Sequence, residues 1–519
     1  MQDARLQRST QLVHCVVAAL LAASCGGGAQ KLLDNGGGSP PARGTLLQSP
    51  PTLFSTLTAP DLLLQLNLAT NSQLLTLSGA PLCDVLTYTI EYETVGALNE
   101  ATTASAAMMV PAGLGANCTG SRPIVLYAHG TTTDRKFNMN NTANTESLFL
   151  AAHFASHGYI VVAPNYAGYD TSTLPYHPYL IADAESKDLM DALTAARTAL
   201  PLASATLTKD NGQLFITGYS QGGYVAMATQ RAMQSAGMTV TAAAPMSGPY
   251  AIAAFVDAVF NGQVNGGAPI SSTLLLTAYQ KAYGNVYSAP SDVFESRYAS
   301  GIESLLPTTT PRSQLYAQGK LPEQALFSLT PPAAAYTGIT PPATPANLAV
   351  VFALGFGANN LLTNSFRLAY LQDAQAHPDG GFPTLTTRMP AASPALGWRQ
   401  DLAQNDLRNW TPNSPSLLCG GANDPLVFWL NTQLMLDYWA SLATAPPSVS
   451  VLDLESAQPL GDPYATLKND FQFAKDTVAL RAIAQGATDG GALAVAQAYH
   501  TELVAPFCFA AVKKFFSAF

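Results

Sequence analysis

Ser220 stands at the centre of Gly218-Tyr219-Ser220-Gln221-Gly222, between an apolar run, Leu214 to Ile216, and small and apolar residues at helical spacing, Tyr224 to Met233. A strand that turns through Gly-x-Ser-x-Gly into a helix forms a nucleophile elbow. Its glycines remove the Cβ atoms that would collide at the corner, and the helix N-terminus faces the serine oxygen. A serine hydroxyl is a weak nucleophile at neutral pH, so it needs a histidine to take its proton and an acid to orient that histidine. Only His377 and His500 follow Ser220 in the chain. His377 falls in a helical stretch before the strand pattern resumes, whereas His500 lies between the last strand pattern and the last helix, so His500 is the expected base. The acid belongs in the loop after the penultimate strand, where Gly420-Gly421-Ala422-Asn423-Asp424-Pro425 offers Asp424; the competing carboxylate is Asp453, at the end of the last strand. The N–H of Gln221 is one expected oxyanion donor, and the His129-Gly130-Thr131 loop supplies the other, from Thr131. His129 itself is expected to hold that loop, and Asn165 and Tyr166 are candidates for the pocket wall.

The elements that position these residues alternate. Val85 to Val95 and Ala104 to Val110 read as an antiparallel pair, Ile124 to Ala128 as a central strand, Glu146 to Ser156 as a helix and Tyr159 to Ala163 as a buried strand. Leu180 to Leu200 reads as a helix leading to the elbow strand, and Val240 to Ala244 as the strand after the elbow helix. Strands that are apolar throughout and alternate with helices predict a parallel sheet covered on both faces. Residues 51–73 carry no clear pattern and are expected to form surface helix and loop, with the sheet beginning near Val85. From about 249 to 410 helices are predicted at Ala251 to Phe260, Ser272 to Tyr283 and Leu361 to Gln375, with no buried strand. This stretch reads as an insertion within one domain spanning 51–519, because strands and helices return at Ser416 to Cys419, Leu426 to Ala440, Val449 to Leu452 and Ala505 to Phe516.

Of the 519 residues 48 % are hydrophobic and 11 % charged, with net charge −9 and no basic stripe. The chain can bury a large core, and nucleic acid is excluded as an expected partner. No zinc-ligand spacing, His-Glu-x-x-His motif or phosphate-cradling loop is present, so no metal or cofactor is expected. Arg5 and Arg8, the apolar run Leu12 to Ala23, and Ala22-Ala23-Ser24-Cys25 read as an export signal over 1–25 whose Cys25 would carry lipid, followed by a flexible tether over 26–50 rich in Gly, Pro and Ser. The expected location is therefore outside the cytoplasm: an outer-membrane lipoprotein, periplasmic or secreted, tethered to membrane only through Cys25. With Cys15 inside the signal, Cys83, Cys118, Cys419 and Cys508 remain, an even set that suits two disulfides in an oxidising compartment. Cys83 and Cys118 flank the first hairpin, while Cys419 and Cys508 flank the loops of Asp424 and His500, which predicts the pairs 83–118 and 419–508.

Tyr92-Glu93-Thr94, the strand into Val110-Pro111, Tyr127-Ala128-His129-Gly130-Thr131, Gly218-Tyr219-Ser220-Gln221-Gly222-Gly223 and the Gly-x-x-Asp-Pro loop at Asp424 together resemble the secreted lipase/esterase family of the α/β-hydrolase superfamily. That family includes yeast lipase A type enzymes and secreted esterases of plant-pathogenic bacteria. The resemblance covers about 83–248 and 416–519. It implies an α/β-hydrolase fold, hydrolysis of small-molecule or lipid esters by Ser220, Asp424 and His500 through an acyl-enzyme, and a lid formed by 249–410. Two rival readings are a serine peptidase of prolyl oligopeptidase type and a non-catalytic surface lipoprotein that keeps the fold for binding.

Overall fold

The computed structural model describes residues 42–68, 73–444, 446 and 448–519. The expected signal, Cys25 and the tether up to residue 41 lie outside the described residues. Nine strands form one sheet: β1 (Thr52–Leu57), β2 (Asp84–Val95), β3 (Ala101–Ala112), β4 (Gly120–Ala128), β5 (Ile160–Pro164), β6 (Thr208–Tyr219), β7 (Ala242–Met246), β8 (Ser416–Gly420) and β9 (Val449–Asp453). Their order is β1-β2-β3-β5-β4-β6-β7-β8-β9. The pairs from β1 to β5 through β2 and β3 are antiparallel, and every pair from β5 to β9 is parallel.

β5 and the C-terminal halves of β4 and β6 are mostly apolar because both faces are covered there. Ile124 and Leu126 of β4 and Ile216 of β6 share a core with Leu189, Leu193 and Val225 of the helices Ala182–Ala199 and Gln221–Ser235. The alternate residues Val125 and Phe215 face Phe149 and Phe509, on the helices Thr145–His153 and Ala505–Phe516. That alternation is the pleat of a strand buried on two sides. This is the α/β-hydrolase architecture.

Two expectations need correction. Residues 52–57 form an edge strand rather than surface loop: β1 pairs with β2 from Thr52 opposite Thr89 to Leu57 opposite Val85. The strand is largely exposed, so burial leaves no imprint on its sequence. The tether also ends earlier than residue 50. Gly44 N–H donates to Glu93 O at 2.8 Å, Leu47 N–H donates to Glu91 O at 2.8 Å, and the Arg43 guanidinium pairs with Asp191 at 3.0 Å, which lays 43–47 along β2.

Residues 249–415 contain helices such as Ile252–Phe260, Ala268–Tyr283 and Asn364–Ala376, and no named strand. Phe260, Phe327 and Trp398 from this region belong to the same buried cluster as Leu126 and Ile216, so the insertion has no separate core. Three buried arginines sit inside it. Arg408 pairs with Asp379 at 2.7 Å and Asp406 at 2.8 Å, and Arg399 pairs with Asp257 and Asp373 at 2.9 Å each. Arg367 donates to the carbonyls of Phe260 and Ile339. After β9 the chain forms two helices that the sequence pattern did not suggest, Ala465–Ala484 and Ala492–Ala498, then a π-helical turn, Tyr499–Val504, continuous with Ala505–Phe516.

Candidate active site

Strand order reverses around β4, since β5 and β6 lie on either side of it. The crevice beyond the carboxyl ends of β4 and β6 is thus a topological switch point, where sheets of this kind bind ligands. Parallel register sets Ala128 beside Gly218, so the loop after β4 and the turn after β6 leave the sheet side by side.

Ser220 occupies that turn at φ +60° and ψ −122°, a conformation that costs a non-glycine residue about 1–3 kcal/mol and persists only when its surroundings enforce it. The Ser220 N–H donates to Met246 O of β7 at 3.0 Å. A Cβ at Gly222 would collide with Ala128 O, and one at Gly223 with Met246 O, so glycine is required for this close approach. The helix Gln221–Ser235 begins at once, leaving first-turn N–H groups aimed at the crevice.

Asp424 lies beyond β8, 2 % exposed. Its Oδ1 accepts from the N–H groups of Leu426 (2.9 Å) and Val427 (3.1 Å), and its Oδ2 is 2.6 Å from His500 Nδ1. An ionised carboxylate can only accept, so Nδ1 carries the proton and the neutral ring turns its basic Nε2 away from the acid. That Nε2 is buried and makes no hydrogen bond within the described residues. His500 and Ser220 line the same cavity, about 250 Å³ in volume, together with Thr131 and Gln221. The rest of its wall is largely apolar: Phe255, Val259, Phe260, Ile270, Leu275 and Trp398, all from the insertion.

Asp453, the competing acid, has another task. Its Oδ1 accepts from Ala422 N–H at 3.0 Å and Glu455 N–H at 2.9 Å, clamping the loop that carries Asp424. His377 caps the helix Asn364–Ala376, away from Ser220's cavity, with its ring 40 % exposed. His129 is buried with Nδ1 2.7 Å from Gly130 O and Nε2 3.2 Å from Asn165 O, and its neutral ring, with one N–H, donates to one of the two carbonyls. Burial pushes its pKa down to about 4. Asn165 and Tyr166 do not line the cavity as expected. Both are buried behind it, Asn165 accepting from Met139 N–H at 2.7 Å and Tyr166 donating to His129 O at 3.0 Å.

Two residues at the site carry no sequence signal strong enough to single them out. Glu146, in the first turn of the helix capped by Asn144, opens on the cavity and accepts from Tyr127 O–H at 2.6 Å and from Gly130 N–H at 3.1 Å. Burial raises its carboxyl above the usual range, while those two hydrogen bonds and the nearby His500 pull the other way. Gly130 N–H is thus occupied by Glu146, and Thr131, the next residue, lines the cavity. Tyr499 accepts from Asn423 N–H at 3.3 Å and donates to Glu455 at 2.7 Å, which ties the Asp424 loop to the turn of His500. Its position directly before His500 was the available clue. The disulfides join Cys83 to Cys118 and Cys419 to Cys508. The second bond links the end of β8 to the helix that follows His500. Among the described residues no cluster of three or more His, Cys, Asp or Glu side chains could hold a metal, and no helix is long and apolar enough to cross a membrane.

With this geometry in view, the likenesses to known proteins can be placed. The family profile described as Chlorophyllase matches residues 85–248, which hold Ser220 and the Thr131 loop and stop before Asp424. The crystal structure of the rice cell wall degrading esterase LipA from Xanthomonas oryzae is 25 % identical, with 84 % of this chain and 96 % of that chain covered at a TM-score of 0.61. A protein of Legionella pneumophila at 17 % identity, 91 % and 97 % coverage and a TM-score of 0.61 shares the fold. Candida antarctica lipase A in its closed state is more distant, at 13 % identity, 84 % and 82 % coverage and a TM-score of 0.46. No protein of curated function matches. Fold and neighbours make the chain an α/β hydrolase. Its likenesses within that fold are to lipases and esterases, over most of this chain and of theirs.

Proposed function

We propose that this carboxylic ester hydrolase acts through Ser220, His500 and Asp424 by an acyl-enzyme route. The observation that carries the reading is His500, bound through Nδ1 to Asp424 at 2.6 Å while its unpartnered Nε2 shares a cavity with Ser220. In this mechanism Ser220 Oγ attacks the ester carbonyl as Nε2 takes its proton, and the N–H groups of Thr131 and Gln221 receive the oxyanion. Protonated His500 then gives its proton to the departing alcohol. Water, deprotonated by the same nitrogen, attacks the acyl-enzyme and releases the acid. Asp424 fixes the tautomer and stabilises the imidazolium, a role in which a carboxylate held by two N–H groups does not itself take the proton.

The mostly apolar wall favours an acyl or aryl ester, and Arg312, which also lines the cavity, is the group a peptide terminus would need to reach. At about 250 Å³ the cavity is small for a ligand site, which supports acyl groups of modest size. Since that wall comes from the insertion, residues 249–410 act as a lid that sets substrate range. Two disulfides support residence in an oxidising compartment, and with the signal-like N-terminus they favour export with lipid on Cys25.

The test is a panel of p-nitrophenyl esters of increasing acyl length beside an aminoacyl-p-nitroanilide. Ester turnover that prefers short to medium chains, and that falls by several orders of magnitude in Ser220→Ala without loss of fold, is the expected result. Anilide turnover that exceeds ester turnover would establish the peptidase instead, and absence of both would leave the binding protein. Failure of Cys25→Ser to abolish incorporation of labelled palmitate would refute the lipid anchor.

A further inference from the structure

Glu185 is a buried carboxylate, 2 % exposed, with one oxygen that has no hydrogen-bond partner among the described residues. Such an arrangement costs stability, so its presence beside the elbow calls for a reason other than folding. Its other oxygen, Oε1, accepts from the side-chain amide of Gln221 at 2.6 Å. The same amide nitrogen donates to His177 Nε2 at 2.7 Å. His177 Nδ1 lies 3.0 Å from Ala167 O, which can only accept, so Nδ1 carries a proton, and Nε2 lies 3.3 Å from Glu185 Oε1 as well as beside the Gln221 amide.

From His177 the contact continues across the sheet end. Its ring stacks on Tyr166 at 5.4 Å and 10°, and Tyr166 stacks on His129 at 4.0 Å and 27°. Tyr166 O–H donates to His129 O at 3.0 Å, and Tyr166 is itself held at φ +66°. One buried chain of contacts therefore runs from the Gln221 side chain, on the elbow, to the backbone of His129, two residues before Thr131.

We propose that Glu185, His177 and Tyr166 are positioning residues that fix the spacing between the two oxyanion donors, the N–H groups of Gln221 and Thr131. The inference rests on the ester-hydrolase reading above. Gln221 follows a serine in a strained backbone conformation, and a turn so strained relaxes unless neighbours hold it. Anchoring the Gln221 side chain from behind prevents the first helical N–H from swinging, and the Tyr166 bond does the same for the loop opposite. Donors misplaced by about 1 Å lose up to about 10²-fold in rate, while ground-state binding, which depends on the apolar wall, is little affected.

The test uses the full chain, with active sites counted by burst titration and turnover expressed per titrated site. Glu185→Leu is expected to lower kcat about tenfold or more with KM within about twofold, and Glu185→Gln, which keeps an acceptor, to restore most of it. Gln221→Met removes the anchored side chain and leaves the N–H. In that background Glu185→Leu should add almost nothing, as two members of one chain of contacts are not additive. Where Glu185→Leu does not fold, His177→Phe, which keeps the stack and loses the acceptor nitrogen, carries the same comparison. Unchanged kcat in the folded variants, a loss confined to KM, or full additivity with Gln221→Met would overturn the proposal. A wild-type protein that hydrolyses no ester and whose Ser220 is not labelled by a fluorophosphonate would instead refute the reading on which it rests, a result distinct from the others.

Discussion

Leu126 and Ile216, in the middle of the sheet, are enclosed by aliphatic side chains, whereas Arg408, in the insertion, is enclosed by Asp379 and Asp406 with all three side chains at 0 % exposure. The sheet has ladders to satisfy its backbone and two helical layers to cover it. The insertion has short helices and long irregular connections, so many carbonyls have no ladder. Arginines reach in to serve them, as Arg367 does for Phe260 and Ile339. One region is held by continuous apolar contact and a covalent cross-link; the other shares that apolar cluster and adds a few discrete charged ties. Regular structure distributes its stability widely. Irregular structure concentrates it in single side chains, so one substitution can do more damage in the insertion than in the sheet.

The comparison can be broken most forcefully at the Cys419–Cys508 bond. Chain-entropy arguments put a cross-link closing 89 residues at about 4–5 kcal/mol. Cys419→Ala with Cys508→Ala should therefore lower the urea midpoint strongly, and a midpoint that barely moves would show that packing alone holds β8 to the last helix. Next comes Arg408→Met, which leaves two aspartates buried without their cation and should cost about 3–5 kcal/mol. Replacing Arg408, Asp379 and Asp406 together by apolar residues should recover most of that loss. If single and triple variants are equally unstable, volume rather than charge ties this part of the insertion.

A third measurement sharpens the sheet side. His153 is buried among Phe149, Phe154 and Phe509, and burial pushes its pKa down to about 3. In the unfolded chain an imidazole binds its proton near pH 6.5, so below that pH the unfolded state takes up a proton the folded state refuses. Stability is retained above about pH 6.5 and lost as pH falls toward 3. His153→Gln removes that linkage. The stability gap between wild type and variant should narrow by about 2 kcal/mol from pH 7.5 to pH 5, at about 1.4 kcal/mol per unit below 6.5, and a gap constant with pH would mean that His153 is not held neutral. The smallest effect is expected for Ile216→Val, about 0.5–1.5 kcal/mol in the same denaturation assay, because close neighbours share the loss.

The same contrast governs what could be read in the sequence. β5 and the second halves of β4 and β6 were legible because burial on both faces makes them mostly apolar, while the exposed polar starts of β4 and β6 were not. β1 was not, since an exposed edge strand has no such constraint. The cysteine pairs were legible from the elements they flank. Asp424 was favoured over Asp453 for its Gly-rich loop and Pro425, and in the structure Asp453 accepts from the Ala422 and Glu455 N–H groups while Asp424 lies 2.6 Å from His500 Nδ1. Glu146 and Glu185 were not legible: both sit on helices like any solvated acid, and only the tertiary fold turns them toward Gly130 and Gln221. The charged ties of the insertion were hidden for the same reason, because a sequence poor in charge looks merely apolar until the few charges present are found paired inside it.

The turn that carries His500 also delivers Tyr499 to the Asp424 loop and receives a hydrogen bond from Tyr219 O–H, the residue before the nucleophile, at the His500 carbonyl. The Tyr219–His500 bond joins positions 281 residues apart in the chain. At ribosomal rates of about 5–20 residues per second, an elbow that has emerged waits about 14–56 s for the histidine that completes it. Under the proposed mechanism the nascent polypeptide exposes through that interval a serine without its base, so hydrolytic competence arises in one late step of biosynthesis instead of growing in with the sheet.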